Sequence, residues 1–382
     1  MTVATPTMTG RERYIETLTF GTPDRVPFNP GGGRRSTRER WQREGLRPDV
    51  PIMEAVCDEL GIDRRAGCRP VQPDVNFRMM PTFEEKVLEH RDGHYVVQDW
   101  MGNITEISDE YDYTYIRNAI DFVTRKWHRF PVETPEDFEK KVKWRYDPEE
   151  PGRFPEDFAE RCEALRAGDR PVGIRFSGPF WQLREWCGFE PLCMMFIEQP
   201  GFVKEMISFW TGFISRTLAP ILEAGILDWV GFNEDMAYKE KSMISPAMTR
   251  EFLKPCYDRW VGEARAAGVS LVDMDSDGKV DELIPIWIDA DINVCDPMEV
   301  AAGNDLVEYR HRFGRRMAYR GGVDKRCIAR GGQAIEDELA RLEPVVRSGG
   351  YIPGCDHGVP PDVSWPDFLN YSRLLAEVTG WL

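Results

Sequence analysis

The sequence predicts an α/β fold, namely a single (β/α)8 TIM barrel with an inserted β-meander. Three observations favour this fold: a strand-then-helix pattern repeats six times from residue 171 onward, two more candidate strands lie upstream, and polar residues follow nearly every strand. Eight parallel strands favour a closed barrel over an open sheet. We therefore treat residues 1–382 as one barrel domain, with the β-meander at about 85–107 as an elaboration.

The elements before the repeat are weaker in pattern. A first strand is predicted at 26–29, followed by a helix over 36–44, and a second strand is predicted at 75–78. Residues 87–107 then alternate between apolar and polar and are broken twice at glycine-containing turns. This pattern is typical of antiparallel strands joined by tight turns, so it predicts the β-meander.

The repeat consists of short β-branched or aromatic runs, each followed by a polar turn and an amphipathic helix. Its strands are predicted at 172–176, 229–233, 270–274, 292–296, 317–322 and 350–356. Ser245 and Pro246 predict the start of a long crossover helix, and Gly268 predicts its end, with a kink at Pro255. Ser364 predicts the start of the last helix.

Composition excludes several function classes. The 382 residues include 49 Lys and Arg against 65 Asp and Glu, a formal net charge of −16, which opposes binding to nucleic acid or to an anionic membrane. No segment approaches the roughly 20 apolar residues of a membrane span, and no signal peptide is indicated. The nine cysteines form no C-x-x-C pair, so no disulfide framework is predicted. We expect a cytoplasmic protein.

Barrels of this kind have their chemistry at the C-terminal ends of the strands. Side chains predicted to meet there are Arg34, Arg35, Arg175, Glu234, Asp235, Asp273, Asp275, Asp277, Arg320, Lys325, Cys355 and His357. Arg34 and Arg35 follow three glycines, whose free backbone amides and the two guanidiniums suit a carboxylate or a phosphate. The alternative interpretation is a flexible loop with two solvated arginines.

Asp273, Asp275 and Asp277 alternate along a predicted strand, so their carboxylates would share one face. Three such neighbours are unfavourable unless a cation, a shared proton or a basic partner compensates their charge. The candidates are Arg320, Lys325 or a divalent metal ion. A solvated acidic turn after the strand is the alternative.

Cys355 and His357 alternate in the same way at the last strand. A thiolate and an imidazole are ligands that zinc accepts readily, and Asp275 and Asp277 could complete a mixed site. The alternative is a half-buried cysteine beside a histidine that is hydrogen-bonded to a loop. Other aromatic residues, including Trp181, form either a wall for a flat substrate or part of the core.

Three stretches carry a family resemblance: Ile-Ser-Pro-Ala-Met at 244–248, Gly-Val-Asp-Lys at 322–325, and Asp-His-Gly-Val-Pro-Pro-Asp-Val-Ser at 356–364. With them the chain resembles the uroporphyrinogen decarboxylase superfamily, which also contains cobamide-dependent methyltransferases. The resemblance covers nearly the whole chain and implies a (β/α)8 barrel.

The decarboxylases of that superfamily have arginines after the first strand, an aspartate after the second, an aromatic residue after the third and a histidine after the last. By resemblance these positions fall on Arg34 or Arg35, Asp74, Trp186 and His357. The R-Q-A-G-R signature of the decarboxylases is absent.

The methyltransferases hold zinc with an H-x-C-G motif and a later cysteine. The motif aligns with residues 275–278, where aspartates replace both ligands, and the later cysteine matches Cys355. The resemblance therefore implies methyl transfer with an altered ligand set, in which Asp275, Asp277, Cys355 and His357 bind zinc or share the acid–base work.

We expect a methyltransferase that moves a methyl group from a small O- or N-methyl substrate to cobalamin, a corrinoid carried by a partner protein. Glu234 and Asp235 join the expected catalytic group. The expected substrate-binding residues are Arg34, Arg35, Asp74, Arg175, Trp181, Trp186 and Arg320. Two alternatives stay open: a metal-free decarboxylase of a porphyrinogen or another electron-rich carboxylated heterocycle, and a catalytically silent barrel that docks a corrinoid protein.

Overall fold

The structure is a computed structural model that describes residues 7–110 and 124–382, and this part of the chain contains two sheets. The antiparallel sheet consists of β1 (Lys86–Arg91), β2 (His94–Gln98), β3 (Ile104–Ser108) and β4 (Lys126–Arg129). The parallel sheet consists of β5 (Gly173–Ser177), β6 (Trp229–Asn233), β7 (Leu271–Asp275), β8 (Val294–Asp296), β9 (Ala318–Val323) and β10 (Tyr351–Cys355). Each sheet keeps the order of the chain from one edge to the other.

At least one helix connects each pair of consecutive strands in the parallel sheet, as parallel crossovers require. The helices of the described residues are α1 (Gly10–Leu18), α2 (Arg35–Arg43), α3 (Ile52–Leu60), α4 (Pro135–Asp137), α5 (Phe158–Ala167), α6 (Pro179–Cys187), α7 (Phe189–Glu198), α8 (Pro200–Glu223), α9 (Pro246–Met248), α10 (Lys254–Ala266), α11 (Ile284–Asp289), α12 (Leu306–Phe313), α13 (Lys325–Arg330), α14 (Gln333–Arg347) and α15 (Trp365–Thr379). None of them is long and apolar enough to cross a membrane.

The six strands predicted from residue 171 onward are confirmed, each with its start and end within two residues of the prediction. The helix signals act as expected: the Ser245 side chain accepts the backbone N–H of Met248, and Ser364 accepts that of Asp367. A π-helical turn over Thr249–Leu253 separates α9 from α10, so the irregularity precedes Pro255.

The two upstream strands are replaced by isolated parallel bridges, Phe28 with Gly67 and Val71 with Val172. The strand predicted at 75–78 was wrong, since the bridge to the parallel sheet falls at Val71 instead. The buried guanidinium of Arg153 donates to backbone carbonyl oxygens within 75–78, at 2.9 Å. A side chain therefore satisfies this backbone where a strand ladder would otherwise be needed.

One end of the parallel sheet is closed by α1. A capping box formed by Thr9 and Glu12 starts this helix, which places Tyr14 and Leu18 against the beginnings of β6 to β10. The contacts there are apolar, with Trp229 as the largest side chain on the sheet side. The opposite, C-terminal end of the strands is therefore the end at which polar chemistry is possible.

Candidate active site

The strand register aligns the C-terminal ends of four neighbouring strands. Ser177 pairs with Asn233, Asn233 with Asp275, and Asp275 with Asp296. Side chains at and after these positions therefore emerge along one edge of the sheet, as the sequence predicts for a barrel.

Five charged side chains inside this edge form what we call the inner ion cluster: Arg175, Arg320, Asp273, Asp275 and Asp296. Arg175 forms ion pairs with Asp273 and Asp275, and its Nη2 lies 3.3 Å from Oδ1 of Asp296. Arg320 pairs with Asp273, and its Nη2 lies 2.7 Å from Oδ2 of Asp296. Two arginines, of which Arg320 was foreseen as a partner, thus compensate Asp273 and Asp275, the first two members of the predicted acidic ladder.

The two carboxyl groups that both arginines contact have pKa values that are shifted in opposite directions. Burial and the neighbouring Asp296 raise the pKa of Asp273, whose side chain is only 3% exposed. Arg175 and Arg320 hold the pKa of Asp296 below its usual range, although burial alone would raise it. The cluster is therefore close to charge balance, with Asp273 as the site that takes up a proton most readily.

An indole ring lies beneath the two arginines. The guanidinium carbon atoms of Arg175 and Arg320 lie 5.6 and 5.9 Å from the ring centroid of Trp229. Glycines at 173 and 231 make room for this ring, since a Cβ at Gly173 would lie about 2 Å from its atoms. The sheet interior therefore changes from apolar packing at α1, through Trp229, to the inner ion cluster.

Two predicted acids follow β6. Glu234 is fully buried, and its carboxyl accepts hydrogen bonds from the hydroxyl of Tyr257 and from the backbone N–H of Trp181, the latter at 3.0 Å. Burial raises the pKa of Glu234 to about 7. Asp235 lies 3.3 Å from Nη2 of Arg184, and burial together with the charge of Asp277 raises its pKa.

The predicted histidine pairs with the last aspartate of the ladder. Nε2 of His357 lies 3.4 Å from Oδ2 of Asp277, and this hydrogen bond raises the pKa of His357. Asp277 follows the end of β7 and pairs with His357 rather than with an arginine of the inner ion cluster. Lys325, the other candidate partner of the ladder, instead lies 3.3 Å from Glu299.

The residues expected to bind zinc are not arranged to do so. Asp275 is paired with Arg175 and Asp277 with His357, and Cys355 is buried, which raises the pKa of its thiol to about 12. Within residues 7–110 and 124–382, no three Cys, His, Asp or Glu side chains come together as metal ligands. This donor set does not fit a zinc site, because zinc requires three or four converging deprotonated ligands.

A cavity of about 380 Å³ opens beside Arg175, and we call it the aromatic cavity. Six aromatic residues line it: Phe77, Trp100, Tyr146, Phe176, Trp181 and Trp210. Its volume falls in the usual range for small-molecule sites, and its apolar walls suit a flat ligand. Of the predicted substrate-binding residues, the structure places Arg175 and Trp181 at this cavity.

Two charged residues of the aromatic cavity were not expected from the sequence. Glu185 lies on α6 four residues after Trp181, and burial raises its pKa to about 7. Arg78 lies with its guanidinium carbon 5.2 Å from the ring centroid of Trp100, and it forms no ion pair with any described residue. The spacing of Trp181 and Glu185 is a sequence signal, because residues four apart share a helix face.

The other predicted substrate-binding residues lie apart from this cavity. Asp74 is exposed and lies 3.2 Å from Arg161, and Arg35 is exposed at the start of α2 beside Glu39. Arg34 precedes α2 near the end of β10. Trp186, expected as an aromatic wall, is fully buried among core aromatic rings and offers no surface to a substrate.

Among solved structures, the chain is similar to a methyltransferase from Methanosarcina mazei, with 15% sequence identity and a TM-score of 0.57 over 97% of this chain and 98% of that one. It also resembles a B12-independent methionine synthase from Shewanella sp. W3-18-1, with 14% identity and a TM-score of 0.37 over 58% of this chain and 65% of that one. No protein-family model and no curated protein matches the chain. The first similarity shows a shared fold.

Proposed function

We propose that the protein is a methyltransferase that removes the methyl group of a small O- or N-methyl compound bound in the aromatic cavity. The observation that supports this most is a carboxyl group with a pKa near neutrality, Glu185, in the wall of a cavity lined by aromatic rings. The fold shared with the methyltransferase from Methanosarcina mazei agrees with this assignment.

Breaking a bond between a methyl carbon and an oxygen or nitrogen leaves a basic atom behind. A proton supplied to that atom as the bond breaks makes it a better leaving group. Glu185 is suited to supply it, because burial raises the pKa of its carboxyl group to about 7. The aromatic walls of Trp100, Trp181 and Trp210 would hold a flat substrate and limit the access of water.

The acceptor in this proposal is a reduced corrinoid, which supplies the nucleophile that takes the methyl group. A corrinoid is far larger than a cavity of about 380 Å³, so it would have to approach the methyl group from outside, either free or carried by a partner protein. Zinc has no part in the proposal, because Asp275 is paired with Arg175 and no three of the expected ligands come together within the described residues.

We further infer that the two bridged upstream segments complete a closed barrel around this site. The backbone oxygen of Asn29 lies so close to β10 that a Cβ at Gly354 would come within 2.4 Å of it. The bridges of Phe28 to Gly67 and of Val71 to Val172 continue the contact around to β5. These contacts support closure by irregular chain in place of two regular strands.

The test is methyl transfer from a panel of methoxyaromatic compounds and methylamines to cob(I)alamin, followed by the absorbance of methylcobalamin. We expect transfer by the wild-type protein, a rate that falls as pH rises above about 7, and a loss of about 10²- to 10⁴-fold in Glu185→Gln. Glu198→Gln, an exposed change at the end of α7, is the matched control and should leave the rate unchanged.

Two results would contradict the proposal. One is the absence of transfer across the whole panel with a competent corrinoid. The other is a Glu185→Gln variant that is as active as the wild type, since the amide cannot supply a proton.

A further inference from the structure

A buried tyrosine in the aromatic cavity has a hydroxyl group with an unusual set of partners. The oxygen of Tyr146 accepts hydrogen bonds from the indole N–H of Trp186 at 3.2 Å and from the amide of Gln182 at 3.3 Å. A phenolic oxygen has two lone pairs and one proton, so both lone pairs are occupied. No described residue accepts the remaining proton, although Tyr146 is only 4% exposed.

The direction of these bonds decides what Tyr146 can do. An indole N–H is a donor only, so Trp186 fixes the oxygen of Tyr146 as an acceptor and leaves its proton to point elsewhere. Burial also raises the pKa of Tyr146, so the hydroxyl keeps this proton. Because Tyr146 lines the cavity, the place left for an acceptor is the ligand.

The second polar anchor is a cation. Arg78 lines the same cavity and has no carboxylate partner among the described residues, whereas Arg175 is occupied by three aspartates of the inner ion cluster. A guanidinium binds a carboxylate strongly and with defined geometry. Arg78 is therefore available to a ligand, and Arg175 is not.

We propose that the aromatic cavity binds an aromatic carboxylate with a neutral acceptor oxygen on its ring, through the Tyr146 hydroxyl and the Arg78 guanidinium. This deepens the proposed function, on which it rests, by naming the substrate class. Tyr146 and Arg78 contact the ligand, while Trp186 and Gln182 are positioning residues that act through the Tyr146 oxygen.

The experiment measures binding without any corrinoid, by quenching of tryptophan fluorescence, since three tryptophans line the cavity. Three probes are compared. 4-Methoxybenzoate has both the carboxylate and the ether oxygen, 4-ethylbenzoate replaces that oxygen with a methylene group, and methoxybenzene lacks the carboxylate. We expect the wild-type protein to bind 4-methoxybenzoate about 3- to 10-fold more tightly than 4-ethylbenzoate, the range typical of one neutral hydrogen bond.

Tyr146→Phe should abolish this preference and leave the affinity for 4-ethylbenzoate nearly unchanged. Tyr309→Phe is its matched control, since this buried tyrosine donates to Asn304 away from the cavity. Arg78→Gln should weaken binding of both benzoates about tenfold or more, as expected for a charge-assisted bond, and leave methoxybenzene unchanged. Arg216→Gln, an exposed arginine paired with Glu149, is the control for that change.

The ratio of two affinities in one protein does not depend on the fraction that is folded, so a destabilised variant still gives an answer. The wild-type preference tests the Tyr146 hydroxyl even if Tyr146→Phe fails to fold. An unchanged preference in Tyr146→Phe, or an equal loss for all three probes in Arg78→Gln, would overturn the assignment. Binding in the expected pattern without methyl transfer would instead refute the proposed function alone.

Discussion

Carboxyl groups occur in two contrasting environments at the C-terminal end of the parallel sheet. In the inner ion cluster, Asp273, Asp275 and Asp296 lie against two arginines. By contrast, Glu185 in the cavity wall and Glu234, which accepts the backbone N–H of Trp181, have no such ion pair within the described residues, and burial raises the pKa of each to about 7.

The comparison teaches that an ion-pair partner can reverse the effect of burial on the pKa of a carboxyl group, as it does for Asp296 but not for Asp273. Asp296 and Glu234 are both desolvated, yet the pKa of Asp296 is lowered by Arg175 and Arg320 while that of Glu234 is raised. Desolvation disfavours the charged form, and a nearby opposite charge reverses this. We therefore expect chemistry that needs a movable proton near neutral pH at the glutamates, while Asp273, despite its raised pKa, serves charge compensation in the cluster.

Removing an arginine from the inner ion cluster is the strongest way to break this contrast. Arg320→Gln leaves Asp273 and Asp296 with only Arg175, so buried negative charge loses half of its compensation. We expect the free energy of unfolding to fall by about 3–5 kcal/mol, the usual cost of breaking a buried pair, measured by urea denaturation.

The matched control for that measurement is Arg347→Gln. Arg347 is 77% exposed on α14 and pairs with Glu343, so its loss should change the free energy of unfolding by less than about 1 kcal/mol. Equal losses in the two variants would show that the inner ion cluster is no more than a set of solvated pairs.

The parallel sheet could be predicted because the sequence patterns that indicate its strands and helices are local. Each strand of the repeat is a short run of buried residues bounded by turns, and helix starts such as Ser245 and Ser364 are visible as N-caps. The segment at 75–78 could not be assigned correctly, because Arg153, far away in sequence, satisfies its backbone. The sequence pattern within the segment gives no indication of that contact.

The site could be predicted only in part, because local patterns locate the ends of strands but not the contacts between distant segments. The acidic ladder and His357 could be located because parallel strands end at one edge, and the pairing of Asp277 with His357 follows from that position. Glu185, Arg78 and Tyr146 were missed, since they meet through the packing of a helix and two loops. Trp186, expected to face the substrate, instead holds the Tyr146 oxygen.

The pH dependence of the free energy of unfolding tests the comparison further, at Glu234. Its pKa in the folded protein is about 7, against an ordinary value near 4.5. Between about pH 4.5 and pH 7 the Glu234 carboxyl keeps its proton in the folded protein but has lost it in the unfolded chain. The contribution of this proton to the free energy of unfolding is therefore complete below about pH 4.5 and is lost as the pH rises to about 7. Glu234→Gln should remove a slope of up to about 1.4 kcal/mol per pH unit from the free energy of unfolding.

That slope is the difference between wild-type and variant free energies of unfolding, measured by urea denaturation at several pH values from about 4.5 to 7. Glu251→Gln, an exposed residue paired with Lys204, provides the control and should keep the wild-type slope. If the wild-type and Glu234→Gln curves run parallel, Glu234 is ionised in the folded protein and the contrast with Asp296 does not hold.

The smallest expected effect concerns the pair of His357 and Asp277. The hydrogen bond that His357 donates to Asp277 is the main reason that the pKa of His357 is raised, while burial opposes it. Asp277→Asn should therefore lower the pKa of His357, measured by NMR titration of the imidazole signals. Glu106→Gln is the control. It removes Glu106 of β3, the partner of His128, and should leave the pKa of His357 unchanged. An unchanged His357 titration in Asp277→Asn would mean that the pair, with atoms 3.4 Å apart, is too weakly coupled to bias a proton.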